Sequence, residues 1–348
     1  MGEAPKKCGW CILGVSRISN DFSVALVING STIASVGARD AGRAKDFADR
    51  FGARSSHGSY EAALAAPGVD VVYVATVHAS HASLVKLALE AGKHVVCEKP
   101  MTVNEPEMRE LVDLARSKGL FLMEAMWTRF FPAIRKAREV LASGEIGEAK
   151  YVQGDFGFEA PTEESSRLWD PKQAGGGMLE IGCYVVQAAT MVFGGTVPDT
   201  IACSGQLSST GCDEDGLLSL TWAGKGGASL MFTLKANTPE HVTIIGSKGN
   251  IEIRSPAHCP TKIIVNRMKG RGLFEPEEFT FELPKCSEGH SMNFPNSEGF
   301  LYQVQAVEKC LGDGLKECPD ITLDESLAIV RIMDTFRKQI GVVYPFET

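Results

Sequence analysis

The sequence predicts a doubly wound α/β domain with a parallel sheet, followed by an α+β domain with a large, mostly antiparallel sheet. In the first 130 residues, short apolar runs alternate with stretches of helical periodicity. Those runs do not alternate in polarity, which is typical of strands buried on both faces of a parallel sheet. After Pro132 the strands alternate with period two, as in an antiparallel sheet whose two faces differ. A chain of 348 residues is long enough for both domains.

The elements of the first domain follow each other in βα order. The predicted strands are Cys11–Val15, Thr32–Ala38, Val69–Thr76, His94–Cys97 and Leu120–Ala125. The predicted helices are Asp40–Phe51, Tyr60–Ala65, Ser80–Ala91 and Glu105–Lys118. Several of them open with a cap-like residue, such as Ser59 or Asn104.

The second domain opens with a predicted helix at Ala133–Ser143. In Ala228–Lys235 the apolar side chains share one face of a strand, and Ile244–Ile253 predicts a hairpin that turns at residues 247–249. The remaining assignments are helices at Gly299–Leu311 and Asp324–Ile340 and long loops at Phe158–Gln173 and Arg267–Asn296. Loops of that length often carry function.

Composition excludes several classes of function. The formal net charge of −8 makes binding to a nucleic-acid backbone unlikely as a role. No apolar run reaches 18 residues, so we expect no membrane span, and the polar first ten residues do not resemble a secretory leader. Among the ten cysteines, only Cys8 and Cys11 form a CxxC pair, and His78 and His81 lack an acidic third ligand, so we expect no metal. The expected location is the cytoplasm, with reduced thiols.

The turn after the first strand is a candidate dinucleotide site, because ligands of doubly wound sheets bind where a strand turns into a helix. The G-x-G-x-x-G fingerprint is reduced to Gly14, with Ser16 at the second glycine position. An ordinary strand–turn–helix fits this turn equally well. Arg39, after the second strand, could accommodate a 2′-phosphate and so favours NADP over NAD, and Arg43, one turn on, could add positive charge. Alternatively, Arg39 is only solvated. In both cases we expect Asp40 to cap the next helix.

A buried strand that ends in Glu98-Lys99-Pro100 is far more specific. Together with the runs Asp70–Thr76, Gly92–Val95 and Gly175–Tyr184, it resembles the Gfo/Idh/MocA oxidoreductase family along nearly the whole chain. The run Met123–Pro132, Asn20-Asp21-Phe22 and Asn293-Phe294 resemble its dihydrodiol and D-xylose dehydrogenase branch most closely.

This resemblance implies a Rossmann domain at residues 1–130 that binds NADP. It implies a domain at 131–348 for substrate binding and dimerisation, with the closing helix able to pack back on the first domain and the active site between the domains. The implied cofactor-binding residues are Gly14, Ser16, Arg17, Ile18, Arg39, Thr76, His78, His81, Glu98, Lys99 and Trp127. The implied substrate-binding residues are Trp127, Arg129, Phe156, Arg167, Glu180, His258 and Phe294.

Lys99 and Tyr184 match the family's catalytic pair, and the chemistry agrees. Oxidation of an alcohol needs a base for the hydroxyl proton, and a tyrosine normally titrates near pH 10 unless a cation stabilises its phenolate. Glu180 departs from the family's usual Asp, and His258 stands where relatives of this branch have Trp, which favours a polar sugar over an aromatic diol. The alternative for Tyr184 is a buried ring with a satisfied hydroxyl, and for Trp127 and Phe156 it is plain core.

The leading hypothesis is an NADP-dependent oxidoreductase acting on a sugar or cyclic trans-diol, as a homodimer. One alternative is another sugar oxidoreductase or reductase of the family, working in the opposite direction. A second is a catalytically silent NADP-binding regulator, which would be expected to lose the Lys99–Tyr184 pair.

Overall fold

A computed structural model describes residues 8–161, 163, 166–270 and 272–347. They form two compact units. The first takes in the described residues up to Thr102, Pro106–Phe130 and Leu283–Leu323, and the second takes in Val103–Glu105, Phe131–Glu282 and the described residues from Asp324 onward. One change of unit falls between Phe130 and Phe131, but residues 283–323 group with the first unit. The roles assigned to residues 1–130 and 131–348 stay predictions.

The first unit contains the predicted parallel sheet. Its strands are β1 (Gly9–Leu13), β2 (Thr32–Gly37), β3 (Ser56–His57), β4 (Val71–Val74), β5 (His94–Glu98) and β6 (Leu122–Ala125). These six strands of the described chain pair in parallel in the order β3-β2-β1-β4-β5-β6, which confirms the doubly wound fold. Every residue of β1 and β4 is buried, as the unbroken apolar runs predicted.

Helices alternate with these strands. They are α1 (Arg17–Asn29), α2 (Ala41–Phe51), α3 (Tyr60–Leu64), α4 (His81–Glu90) and α5 (Glu105–Lys118). The caps predicted at Asp40 and Ser59 are confirmed, because their side chains accept the amides of Arg43 and Ala62 at 3.0 and 3.2 Å.

The second unit is built on the predicted antiparallel sheet. Its elements are α6 (Pro132–Ser143), β7 (Ala149–Gly157), α7 (Cys183–Val192), β8 (Thr200–Leu207), β9 (Asp213–Trp222), β10 (Gly226–Thr233), β11 (Val242–Gly246), β12 (Gly249–Ile253), β13 (Lys262–Gly270) and β14 (Leu273–Thr280). In the described chain these eight strands lie in the order β14-β13-β12-β11-β7-β10-β9-β8. Only β7 and β10 pair in parallel among them.

Two local predictions for this sheet are confirmed. Ala228, Leu230 and Phe232 are buried on one face of β10, while Ser229 between them is exposed. The hairpin of β11 and β12 closes with Gly246 paired to Gly249.

The long loop predicted at Arg267–Asn296 is wrong over its first part, where β13 and β14 form a hairpin. Strand β14 is almost wholly exposed, so it has no buried apolar face that could have marked it as a strand. Backbone pairing and cross-strand ion pairs hold it, with Arg267 bound to Glu277 and Lys262 bound to Glu278, each at 2.7 Å.

Helix α8 (Phe300–Gly312) lies in the first unit although it is distant from that unit in sequence. Its Glu308 accepts hydrogen bonds from Trp10 Nε1 at 3.1 Å and from the Ser31 hydroxyl at 2.6 Å. Beyond the helix, the carbonyl of Lys316 accepts the amide of Leu122 at 3.1 Å. These long-range polar contacts explain why residues 283–323 leave the second unit.

Helix α9 (Leu323–Ile340) ends in a buried ion-pair network of the second unit. The guanidinium of Arg337, 2% exposed, donates to both carboxylate oxygens of Glu347 at 2.9 Å and to Asp334 at 3.1 Å. It also lies 4.7 Å from the ring centroid of Tyr344. Among the described residues, no helix is both long and apolar enough to cross a membrane.

Replacing Arg337 by Ala should lower the free energy of unfolding by about 3 kcal/mol, because it removes the buried cation that pairs with Glu347 and with the buried carboxylate of Asp334. Urea denaturation measures this loss. Arg331→Ala is the control, since the Arg331 side chain is 54% exposed in its pair with Glu105 and its loss should cost about 0–1 kcal/mol. Equal losses for the two variants would contradict the interpretation.

Candidate active site

The turn between β1 and α1 requires glycine at its first position. Gly14 has φ +100°, and a Cβ there would lie 2.7 Å from the Ala75 carbonyl oxygen and 2.8 Å from Thr76 Cγ2. Its amide donates to the Gly37 carbonyl at 2.9 Å. The backbone after β1 therefore passes against the ends of β2 and β4 with no room for a side chain.

Ser16 stands at the second glycine position of the fingerprint and acts as the N-cap of α1. Its hydroxyl accepts the Ser19 amide at 3.1 Å and donates to the Ala75 carbonyl at 3.1 Å, while the Ser19 hydroxyl accepts the Ser16 amide at 2.7 Å. Arg17 and Ile18 lie between the two residues of this capping box, in the first turn of the helix. The side chain that breaks the fingerprint therefore orders the helix N-terminus.

Basic residues surround the end of β2. Arg39 is exposed, and the Arg43 guanidinium donates to the Val15 carbonyl at 2.8 Å. A shallow pocket beside it is lined by Val15, Arg43, Asp46, Phe47 and Arg50. The sequence had pointed to Arg39 and to Arg43 one turn on; Arg50 is an addition from the structure, because it reaches the pocket two helical turns further along α2.

His81 joins the ends of two strands. Its ring nitrogens lie 2.8 Å from the Pro100 carbonyl and 3.2 Å from the Thr76 carbonyl, and its ring is 5.7 Å from that of His78. The Thr76 hydroxyl accepts a hydrogen bond from the Ser80 hydroxyl at 2.8 Å. The predicted residues Thr76, His78 and His81 thus come together, and His81 ties the end of β4 to the segment after Lys99.

Glu98, the first residue of the Glu98-Lys99-Pro100 motif, is buried. Its carboxylate accepts a hydrogen bond from the Tyr73 hydroxyl, and burial raises its pKa to about 7. The Lys99–Pro100 peptide bond is cis, and Lys99 is half-buried. Tyr73 was not among the predicted site residues, since its apolar strand gave no sign that its hydroxyl would meet a carboxylate.

Three predicted residues of the first unit differ in exposure. Trp127 is 4% exposed and stacks on Phe300 at 4.4 Å between ring centroids. Arg129 is 1% exposed and donates to the Asp320 carbonyl at 3.3 Å. Phe294 is 37% exposed, with the Arg17 guanidinium 4.9 Å from its ring centroid. Trp127 and Arg129 therefore pack within the unit, whereas Phe294 presents a face.

The second unit brings Tyr184, Phe156 and His258 together. The Tyr184 ring centroid lies 5.2 Å from that of His258 and 5.8 Å from that of Phe156, and the latter two rings stack at 4.8 Å. The Nδ1 atom of His258 is hydrogen-bonded to Glu240. The three side chains are half-buried and form a cluster of rings.

Arg167 and Glu180 form a bidentate ion pair, with nitrogen–oxygen distances of 2.6 and 2.8 Å. Glu180 is thus held by a residue from the long loop that the sequence singled out.

The glycine run before Tyr184 packs tightly against atoms of its own unit. A Cβ on Gly175 would lie 2.6 Å from the Leu168 carbonyl oxygen, and one on Gly177 would lie 2.6 Å from the Phe232 ring. Gly176 has φ +120°, and its Cβ would lie 2.0 Å from Asp213 Oδ1. These contacts give a packing reason for glycine at all three positions.

A π-helical turn, Met178–Gly182, follows the glycines, with the Cys183 amide bonded to the Met178 carbonyl immediately before Tyr184. The buried carboxylate of Asp213 accepts the Met178 amide at 2.5 Å, and the Tyr344 hydroxyl donates to the Gly175 carbonyl at 2.8 Å. Sequence reasoning missed Asp213, because it opens a strand 29 residues beyond Tyr184 without any motif around it.

Burial raises the pKa of Asp213 to about 6 from an ordinary value of 3.8, against the opposing effect of backbone amides and of Arg337. The folded protein therefore holds this proton more tightly than the unfolded chain does, and that advantage is lost as the pH rises through about 6. Relative to Asp213→Asn, the wild type should lose about 2 kcal/mol of unfolding free energy between pH 4 and pH 7.5.

Urea denaturation of both proteins across this pH range measures the difference. Asp199→Asn is the matched control, since the exposed carboxylate of Asp199 accepts the Ala223 amide at 2.7 Å beyond the far end of β9. Parallel pH profiles for the wild type and Asp213→Asn would contradict a raised pKa.

Comparison with known proteins identifies the family. Residues 8–126 match the model described as "Oxidoreductase family, NAD-binding Rossmann fold" for GFO/IDH/MocA proteins, and residues 134–252 match the GFO/IDH/MocA C-terminal domain. The chain is 40% identical over 340 residues to trans-1,2-dihydrobenzene-1,2-diol dehydrogenase of Xenopus laevis, covering 97% of this chain and 99% of the relative. It is 39% identical over 342 residues to the Homo sapiens protein of that name, covering 97% and 98%.

Solved structures share the fold at low sequence identity. Levoglucosan dehydrogenase in complex with NADH and levoglucosan has a TM-score of 0.85 at 18% identity, covering 97% of this chain and 98% of that one. The 3-ketoreductase KijD10 from Actinomadura kijaniata, in complex with NADP, has a TM-score of 0.80 at 23% identity, covering 96% and 98%. With near full-length relatives at about 40% identity and both domain models matched, the chain belongs to the Gfo/Idh/MocA oxidoreductase family.

Proposed function

We propose that this chain is an NADP-dependent oxidoreductase that transfers a hydride between NADP and a sugar or cyclic trans-diol. The observation that carries the proposal is the setting of Tyr184, whose ring lies within 6 Å of two other flat rings on an oxidoreductase fold. A phenol among aromatic faces suits a substrate that offers both a hydroxyl group and a flat ring or sugar face.

The residues of the first unit fit a dinucleotide. Gly14 lets the backbone of the turn pass close to Ala75, and the ordered first turn of α1 offers amides and a helix N-terminus to phosphate groups. Ser16, Arg17 and Ile18 would hold the pyrophosphate. Thr76, His78, His81, Glu98 and Trp127 complete the proposed cofactor set. The exposed Arg39 would pair with a 2′-phosphate, which favours NADP over NAD.

The cofactor, when bound, supplies hydride transfer. The protein has to orient the substrate and move one proton. In the proposed mechanism Tyr184 acts as acid or base at the substrate hydroxyl, and the ammonium group of Lys99 stabilises the phenolate and binds the reacting oxygen. Without a nearby cation a tyrosine would not ionise at neutral pH, so the two residues are required as a pair.

We assign substrate binding to the remaining side chains. Phe156 and His258 contact the ring of Tyr184, and Arg167 holds Glu180 on the preceding turn. Phe294, Trp127 and Arg129 stay in this set as predictions, with Phe294 the most accessible of the three.

The substrate class has two supports that differ. Relatives at about 40% identity are named for a dihydrobenzenediol, which favours a cyclic diol. His258, bound to Glu240, is more polar than the Trp of that branch, which favours a sugar such as D-xylose. A reductase working in the opposite direction is the second candidate, favoured by the ketoreductase of the same fold.

We further propose that the protein is cytoplasmic and forms a homodimer through the second unit. Light scattering would test the oligomeric state.

Tyr184→Phe should lower kcat by about 10²–10⁴-fold, because it removes the proton-transfer group and keeps the ring. The assay is NADPH formation with D-xylose, D-glucose and trans-dihydrobenzenediol. Tyr151→Phe is the matched control, since the Tyr151 hydroxyl is hydrogen-bonded to Ser229 on the neighbouring strand, at 2.8 Å, and to no other residue of the described chain. Undiminished turnover in Tyr184→Phe would refute the mechanism, and tight NADP binding without turnover of any polyol would support a silent regulator.

Arg39→Ala should weaken NADP binding by about 1–3 kcal/mol through loss of a charge-assisted hydrogen bond, and leave NAD binding little changed. Calorimetric titration with both cofactors measures this. Arg54→Ala, an exposed arginine of the same unit, controls for loss of charge. Equal losses for NADP and NAD would show that Arg39 does not contact the 2′-phosphate.

A further inference from the structure

One buried carboxylate fixes residues 291–294 onto the start of α1. Asp21 is fully buried, and its oxygens accept the Asn293 amide at 2.9 Å, the Phe294 amide at 3.1 Å and the Asn293 side-chain amide at 2.7 Å. Asn20 reinforces this arrangement by donating to Asp21 and to the Ser291 carbonyl, each at 3.0 Å. The first two turns of α1 thus bind the backbone of a segment about 270 residues away in sequence.

The anchored segment in turn holds Arg17, the first residue of α1. The Asn293 side chain donates to the Arg17 carbonyl at 3.2 Å, and the Arg17 guanidinium donates to the Asn293 carbonyl at 3.4 Å. The same guanidinium lies 4.9 Å from the Phe294 ring centroid, within cation–π range. An exposed arginine that would otherwise sample many rotamers is restrained beside the helix N-terminus.

That location matters because the positive end of a helix after the first strand of a doubly wound sheet is where dinucleotide phosphates bind. Burying a carboxylate is costly unless it is hydrogen-bonded, and besides the bond from Asn20 the carboxylate of Asp21 accepts its hydrogen bonds from Asn293 and Phe294, the two residues that contact Arg17. A restrained cation binds an anion with less loss of side-chain entropy than a free one does.

We propose that Asp21 is a positioning residue for dinucleotide binding, which acts through Asn293 and Phe294 to set the guanidinium of Arg17 beside the cofactor pyrophosphate. This inference rests on the cofactor half of the proposed function and is independent of the substrate and of Tyr184. It also places Phe294 on the cofactor side of the chemistry as the ring under Arg17.

The test is a double-mutant cycle on the full chain, with the dissociation constant of NADPH measured by fluorescence titration. Asp21→Asn replaces one acceptor oxygen by a donor that faces backbone amides, and should raise Kd by about 10-fold; Arg17→Ala should raise it by a similar factor. Because Asp21 acts through Arg17, the double variant should bind no more weakly than Arg17→Ala alone. The dependence of log Kd on log salt should become shallower in all three variants, as expected when a cation no longer reaches phosphate.

Asp49→Asn is the matched control, since its exposed carboxylate pairs only with Lys45 in the described contacts, at 2.5 Å, and Kd should stay unchanged. If Asp21→Asn does not fold, Asn293→Ala tests the same link and should give a smaller increase of the same kind. An unchanged Kd in Asp21→Asn, or the same factor of loss with and without Arg17, would overturn the inference. Intact NADPH binding without turnover of any polyol would remove the proposed reaction only, whereas a wild type that binds neither NADPH nor NADH would overturn both.

Discussion

The hydrogen bond from the Met178 amide to the buried carboxylate of Asp213 is the interaction on which the second unit's candidate site depends. A helix leaves its first amides without partners inside the helix, and this one starts in the protein interior, so an acceptor has to come from elsewhere. Asp213 provides it from the start of β9. The glycine run follows from this, because the chain must pass close to the carboxylate at Gly176. The π-turn that begins at Met178 then sets where Tyr184 emerges.

The same constraint shapes the first unit by different means. The first amides of α1 are ordered by the hydroxyls of Ser16 and Ser19, and the next acidic side chain, Asp21, captures a remote segment. A glycine-rich fingerprint would have no side chains to hydrogen-bond these amides. Here only Gly14 is kept, and a Cβ there would lie 2.7 Å from the carbonyl oxygen of Ala75, the residue that follows β4. Ser16 is compatible with the turn because its hydroxyl accepts the amide of Ser19 and donates to the carbonyl of Ala75.

Both units keep a buried acid that the fold does not favour in its charged form. Burial raises the pKa of Glu98 to about 7 and that of Asp213 to about 6. Such groups are a cost to stability near neutral pH, and they are typical of functional sites. Glu98, whose pKa is raised, precedes Lys99 in sequence, and Asp213, whose pKa is also raised, accepts the amide of Met178 in the turn before Tyr184.

By itself, the sequence determined the doubly wound sheet, the change to an antiparallel sheet after Pro132, and the residues of the candidate site that stand in motifs. Periodicity and capping are local, so β1, β4 and α2 could be predicted from short windows. Tertiary structure alone decided the contacts that link distant segments: residues 283–323 in the first unit, Asp21 with Asn293, and Asp213 with Met178. The exposed strand β14 also escaped prediction, because cross-strand pairing rather than an apolar face holds it. A hydrogen bond between residues far apart in sequence leaves no periodic trace, and so it becomes visible only when folding brings its donor and acceptor together.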